Sequence, residues 1–141
     1  DRFKGRWDTP RGCTLLAAQG SDGEGNLFGR ASYVSQDDPD RIFSEHLMRV
    51  IAAPKWRALV FVFLSTPIGF RLVRSTAVGT AQRSMREDLL RQLPLPELSA
   101  PDTTRLERHL TAAVEARERA EQAESDAVRV VEEEVLPAWL D

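Results

Sequence analysis

Apolar residues come first in short runs, then at helical spacing, and finally as a thin stripe through a long charged segment. The run Cys13-Thr14-Leu15-Leu16-Ala17-Ala18 predicts a short buried strand. It leads into Gln19-Gly20-Ser21-Asp22-Gly23-Glu24-Gly25-Asn26, whose three glycines mark a loop, and residues 27–34 resume a strand pattern. Together these predict a hairpin with a long loop. Residues 1–12 read as an exposed lead-in with Trp7 as an edge anchor, and residues 35–40 as a polar turn broken at Asp38-Pro39. Residues 42–53 suit two patterns. Helical spacing aligns Ile42, Leu47, Val50 and Ile51, whereas alternation along Leu47-Met48-Arg49-Val50-Ile51 suits a strand.

Pro54 ends that segment, and residues 55–65 predict a helix with Trp56, Leu59, Val60, Phe63 and Leu64 in the core. Phe61 and Val62 fall on its other side, which implies that this side is covered too. Pro67 suits the first turn of a second helix over residues 67–74. Residues 76–85 read as a polar linking loop centred on Gly79, residues 86–90 as a helical turn, and Gln92-Leu93-Pro94-Leu95-Pro96 as an edge strand or extended segment. Pro101 and Asp102 mark a boundary. Residues 103–135 contain neither Gly nor Pro, and Thr104-x-x-Glu107 matches a capping box, so one helix of about 50 Å is expected. Its seam runs through Leu106, Leu110, Ala113, Ala120, Ala127 and Val131, interrupted by Arg117 and Glu124. Leu136, Trp139 and Leu140 form an apolar tip around Pro137.

Composition adds limits. A chain of 141 residues, 42% hydrophobic, supports one small domain with a core and little more. A mean hydropathy of −0.35 suits a soluble protein, and the longest apolar run, residues 58–64, falls far short of the ~20 needed to cross a bilayer. No membrane is therefore expected, and a cytoplasmic location is. The chain opens at Asp1 almost directly on a strand pattern, which suggests a piece of something longer. The net charge of −3 conceals a division: residues 1–101 hold 14 basic and 11 acidic side chains, residues 102–141 hold 5 and 11. Lys55, Arg57, Arg71, Arg74, Arg83 and Arg86 fall in one stretch with no Asp or Glu. Such a local surplus can neutralise phosphates although the whole chain is acidic.

Catalytic signals are sparse. The glycine-rich loop has no Lys, matches neither phosphate-binding spacing, and carries Asp22 and Glu24, which repel phosphate. The single Cys13 with His46 and His109 cannot build a zinc site, and a Cys13–His46 pairing rests on nothing but the presence of both. No hydrolase, metalloprotease or restriction-nuclease motif occurs, so no catalytic residues, metal or cofactor are expected.

The order of parts resembles a known family. An apolar run ending Phe63-Leu64-Ser65-Thr66, then Val78-Gly79-Thr80, then Leu93-Pro94-Leu95-Pro96 and a long charged helix is similar to the target recognition domain and spacer helix of type I restriction-modification specificity subunits. The resemblance spans roughly residues 15–140 and favours a strand for the later half of residues 42–53. It implies an α+β fold: a small mixed domain over residues 1–101, with residues 59–64 and Gly69-Phe70 in packed core helices, followed by a spacer helix from residue 102. It departs from the family in having one recognition domain and one helix, with the opening strands short or missing. It also implies double-stranded DNA as partner, and a DNA methyltransferase (modification) subunit, with a restriction subunit, seated through the C-terminal helix. By side-chain chemistry and loop placement, Gln82 and Arg83 are chosen for adenine and guanine contact with Thr80 and Ser84 in support. Arg74, Arg86 and Lys55 suit phosphates, and Gln19 and Ser21 form a second reading edge. The competing expectation is a protein-interaction module whose acidic helix drives assembly.

Overall fold

The computed structural model describes residues 9–21, 23, 25–35 and 43–140. The expectations for Trp7, for Asp22 and Glu24, for the turn at 36–40 with Asp38-Pro39, and for Ile42 lie outside the described residues. Contacts divide the chain into two compact units, Asp1–Thr103 and Thr104–Asp141. The architecture is α+β, with two small sheets, helices and a long C-terminal helix.

The first sheet is built around β1 (Thr14–Ala17), flanked antiparallel by β3 (Ala31–Tyr33) and β4 (Leu47–Val50). β1 carries an unbroken buried run because both of its faces are covered. Leu16 joins Val60, Leu64, Val73 and Phe28 in the larger cluster, while Cys13 and Leu15 meet Val34, Phe43 and Leu47 in a smaller one. The ambiguous segment thus resolves to a strand over its later half. The expected strand over 27–34 shortens to three residues, because Arg30 N–H closes a turn onto the Leu27 carbonyl at 2.9 Å and Gly29 adopts φ +85°. That turn inserts Phe28 into the core and leaves Leu27 in solvent.

A single 3₁₀ turn, Pro54–Trp56, leads into α1 (Arg57–Ser65), and α2 (Pro67–Ser75) follows after an 86° bend. Thr66 makes the corner: its backbone is extended, its hydroxyl donates to the Phe63 carbonyl at 2.7 Å and accepts from Gly69 N–H at 3.0 Å. The turn is so tight that a Cβ on Gly69 would lie 2.0 Å from the Phe63 carbonyl oxygen, so only glycine fits. Leu59, Val60 and Leu64 are buried as helical spacing predicts, and Ala58 is buried with them. Trp56 is not core: the 3₁₀ turn takes it out of phase with α1, leaving it 41% exposed with Lys55 Nζ 5.2 Å from its ring centroid. Phe63 packs on the larger cluster, and Phe61 is half-buried with its ring 5.2 Å from that of Tyr33.

Residues 76–85 are not a linking loop. They contain β5 (Ala77–Val78) and β6 (Arg83–Met85), a hairpin that pairs with β2 (Gln19–Gly20) in a second sheet of order β2-β6-β5. α3 (Glu87–Leu90) follows, and then Leu93-Pro94-Leu95-Pro96, which joins no strand; Leu93 packs against the core while Leu95 faces solvent.

The long helix α4 (Ala100–Val130) starts earlier than expected. Ser99 is its cap, with Asp102 N–H directed to the Ser99 hydroxyl at 3.3 Å and that hydroxyl bonded to the Asp102 carboxylate at 2.7 Å. The cap is therefore Ser99, with both bonds to Asp102 running through its hydroxyl, not Thr104-x-x-Glu107, and Pro101 is tolerated because first-turn N–H groups have no helical partner. Before Pro137, the helix widens into a π turn, Val131–Val135, and continues as α5 (Leu136–Leu140). Proline lacks the N–H that α geometry would direct to the Glu133 carbonyl, so a local change of helical pitch there has an evident cause. No residue of α4 is buried. Among the described residues no single helix is long and apolar enough to cross a membrane.

Candidate functional site

The second sheet supplies the site because its strands alternate cleanly. In β6, Met85 is buried, Ser84 exposed and Arg83 half-buried; in β5, Ala77 is buried and Val78 exposed; in β2, Gln19 is exposed. Register converts that alternation into a surface. Gln19 pairs with Ser84 and Ser84 with Val78, so these three residues form one row across the outward face. The partners of the covered rows are Gly20 with Arg83 and Ala77 with Met85.

Ala18 fastens this sheet to the first. Its N–H donates to the His46 carbonyl at 2.8 Å, and its carbonyl accepts from Met85 N–H at 2.9 Å. His46 is thereby held beside the end of β1, and its Nδ1 lies 2.5 Å from Oε1 of Gln19. The hairpin between β5 and β6 turns at Gly79, whose φ is +105° and where a Cβ would approach the Gln82 carbonyl oxygen to 2.5 Å. Glycine is required there for both reasons. Thr80 and Gln82 at the tip are exposed.

The sequence-predicted residues divide into two groups. Gln19, Ser84, Thr80 and Gln82 are carried together by the second sheet and its hairpin, and the pairing of Gln19 with Ser84, 65 positions apart, joins two edges that are separate in the sequence. Ser21, next to β2, is exposed and accepts a hydrogen bond from Asn26 Nδ2 at 2.8 Å.

The cations do not join them as expected. Arg83 lies on the covered side, and one guanidinium nitrogen donates to the Ala77 carbonyl at 3.0 Å and the Arg74 carbonyl at 3.5 Å. It fastens the end of α2 to β5, away from the Gln19–Ser84–Val78 row. Arg74 spreads its guanidinium over the rings of Phe70 at 4.9 Å and Phe28 at 5.5 Å, with Arg30 on Phe70 at 5.7 Å. Arg86 makes a two-pronged bond to Asp88, 2.9 and 2.7 Å, which holds that carboxyl below its ordinary pKa. Lys55 sits on Trp56, remote in the chain from the hairpin. Arg71 is exposed.

Sequence reasoning missed His46 as a partner of Gln19 and Val78 as part of the row. The segments on either side of Gly79, Ala77-Val78 and Arg83-Ser84-Met85, are too short for alternation to mark them as a hairpin. Nothing in the sequence indicated the Gln19–Ser84 pairing.

Other chemistry is thin. Cys13 is buried, and burial pushes its thiol pKa up, which keeps it protonated at neutral pH. Among the described residues no three metal-ligating side chains converge. Two open clefts, of about 470 Å³ beside β4 and α3 and 350 Å³ beside Phe70, contain none of the predicted site residues. No family model matches the chain, and comparison with curated proteins finds no match.

Proposed function

We propose that this chain is a DNA-reading module, giving target specificity to a restriction-modification or methyltransferase complex in the cytoplasm, with no catalytic residues or cofactor of its own. The observation that carries the reading is the outward row of the second sheet. Gln19 and Ser84 there, with Thr80 and Gln82 at the hairpin tip, offer uncharged donors and acceptors on paired strands, the chemistry that distinguishes base edges. The same stretch of chain, residues 55–86, holds six cations and no carboxylate, which suits a phosphate backbone nearby. Base reading falls to the neutral side chains, and of the exposed cations of that stretch Lys55 and Arg71 suit phosphates, whereas Arg86 is bonded to Asp88. The long acidic helix would seat the modification subunit and, in a larger assembly, the restriction subunit.

Selection of duplexes from a randomised library at about 0.1 M salt tests this, because phosphate-only binding is already weakened there. An enriched motif is the expected result; recovery of random sequence would sink the proposal. A second reading, a protein-interaction module without DNA, draws on the exposed Val128, Val131, Val135 and Trp139 near the end of the helix. Removing residues 102–141 separates them: DNA selection survives under the first and all binding disappears under the second.

A further inference from the structure

We infer that His46 is a positioning residue that fixes which end of the Gln19 amide faces the DNA, so that Gln19 serves as a hydrogen-bond donor to the base edge. The inference rests on the DNA-reading proposal and goes beyond it by assigning a role to a residue outside the predicted set.

Both side chains stand on held backbone. Gln19 is in β2, paired with Ser84, and His46 is pinned by its carbonyl to Ala18 N–H at 2.8 Å, with its own N–H directed to the Ser44 hydroxyl at 3.3 Å. Nδ1 of His46 then meets Oε1 of Gln19 at 2.5 Å. An amide oxygen has no proton to give, so the imidazole donates and must carry its proton on Nδ1. A half-turn of the amide would set its NH₂ against the Nδ1 proton, donor against donor. With the proton on Nδ1 the bond keeps Oε1 toward His46 and Nε2, with its two protons, directed elsewhere on an exposed row; an imidazole protonated on Nε2 would accept at Nδ1 and hold the amide reversed, so the tautomer decides the role.

A fixed donor discriminates in the major groove. Purine N7, guanine O6 and thymine O4 accept; cytosine presents only its N4 donor. A Gln free to flip would satisfy cytosine as well, through Oε1. His46 thus makes Gln19 reject cytosine at one position of the target.

Four proteins decide the matter: wild type, Gln19→Ala, His46→Ala and His46→Asn, whose side-chain amide keeps a donor where Nδ1 stood. In duplex selection, wild type and His46→Asn exclude cytosine at one position, whereas His46→Ala accepts it at least about fivefold more often, the other positions unchanged. Nitrogen NMR gives a readout that needs no DNA: His46 is expected as the Nδ1-protonated tautomer, reverting to the Nε2-protonated form in Gln19→Ala. A motif identical in wild type and His46→Ala, or an Nε2-protonated His46 in the wild type, overturns the positioning role alone. Random sequence from the wild type overturns the DNA reading beneath it.

Discussion

Arg83 and Ser84 are adjacent, and the pleat sends them to opposite sides of β6. A positive charge in a polar stretch looks like a base reader, yet one guanidinium nitrogen of half-buried Arg83 donates to the Ala77 and Arg74 carbonyls. Arg83→Ala should therefore cost about 1 to 2 kcal/mol of stability, through carbonyls left without these donors, and leave base preference intact. Chemical denaturation alongside duplex selection checks both; a shifted preference with unchanged stability would contradict the assignment. Cys13 gives a residue-scale pH effect. Burial raises its pKa above the ordinary 9.0, so the folded state holds the proton that the unfolded chain releases. Its contribution is complete below pH 9 and falls as pH rises past that value, and Cys13→Ala should remove this part of the alkaline loss measured by thermal unfolding.

At the scale of elements, what could be anticipated was set by local pattern, and what could not was set by pairing. β1 announced itself by an apolar run and α2 by Pro67 at its start, because both signals act within a few residues. β2 and the β5–β6 hairpin are only two or three residues per strand, too short for periodicity, and exist because Ala18 and Gln19 reach across to residues 84 and 85. That is why the candidate row was seen as two unrelated edges. The helix start was misplaced for a different reason: Ser99 and Thr104 offer equal capping chemistry, and the choice fell to a proline that the first turn accepts. Ser99→Ala should cost about 1 kcal/mol, whereas Thr104→Ala should not remove the cap. The corresponding difference in denaturation midpoint, with amide exchange rising only across residues 100–103 in the Ser99 variant, locates the cap.

At the scale of the whole molecule, charge is divided between a basic surplus before residue 102 and an acidic helix after it, so net charge predicts little about DNA. What matters is which cations remain available. Arg86, although exposed, is bonded to Asp88, Arg83 to backbone carbonyls, and Arg74 lies over two aromatic rings, while Lys55 and Arg71 are exposed. Every phosphate neutralised adds about 0.9 to the slope of log K against log salt, which makes the slope a count of the cations in use. Changing Lys55 and Arg71 together to Gln should flatten that slope by about two while leaving the selected motif unchanged, since phosphate contacts carry no sequence information. Changing Arg86 alone should barely move it, because Asp88 already occupies that guanidinium. Titrations of one duplex between about 50 and 200 mM salt measure both slopes. If Arg86 flattened the slope and Lys55 with Arg71 did not, the DNA backbone would run past α3, with Asp88 displaced from Arg86 in the complex.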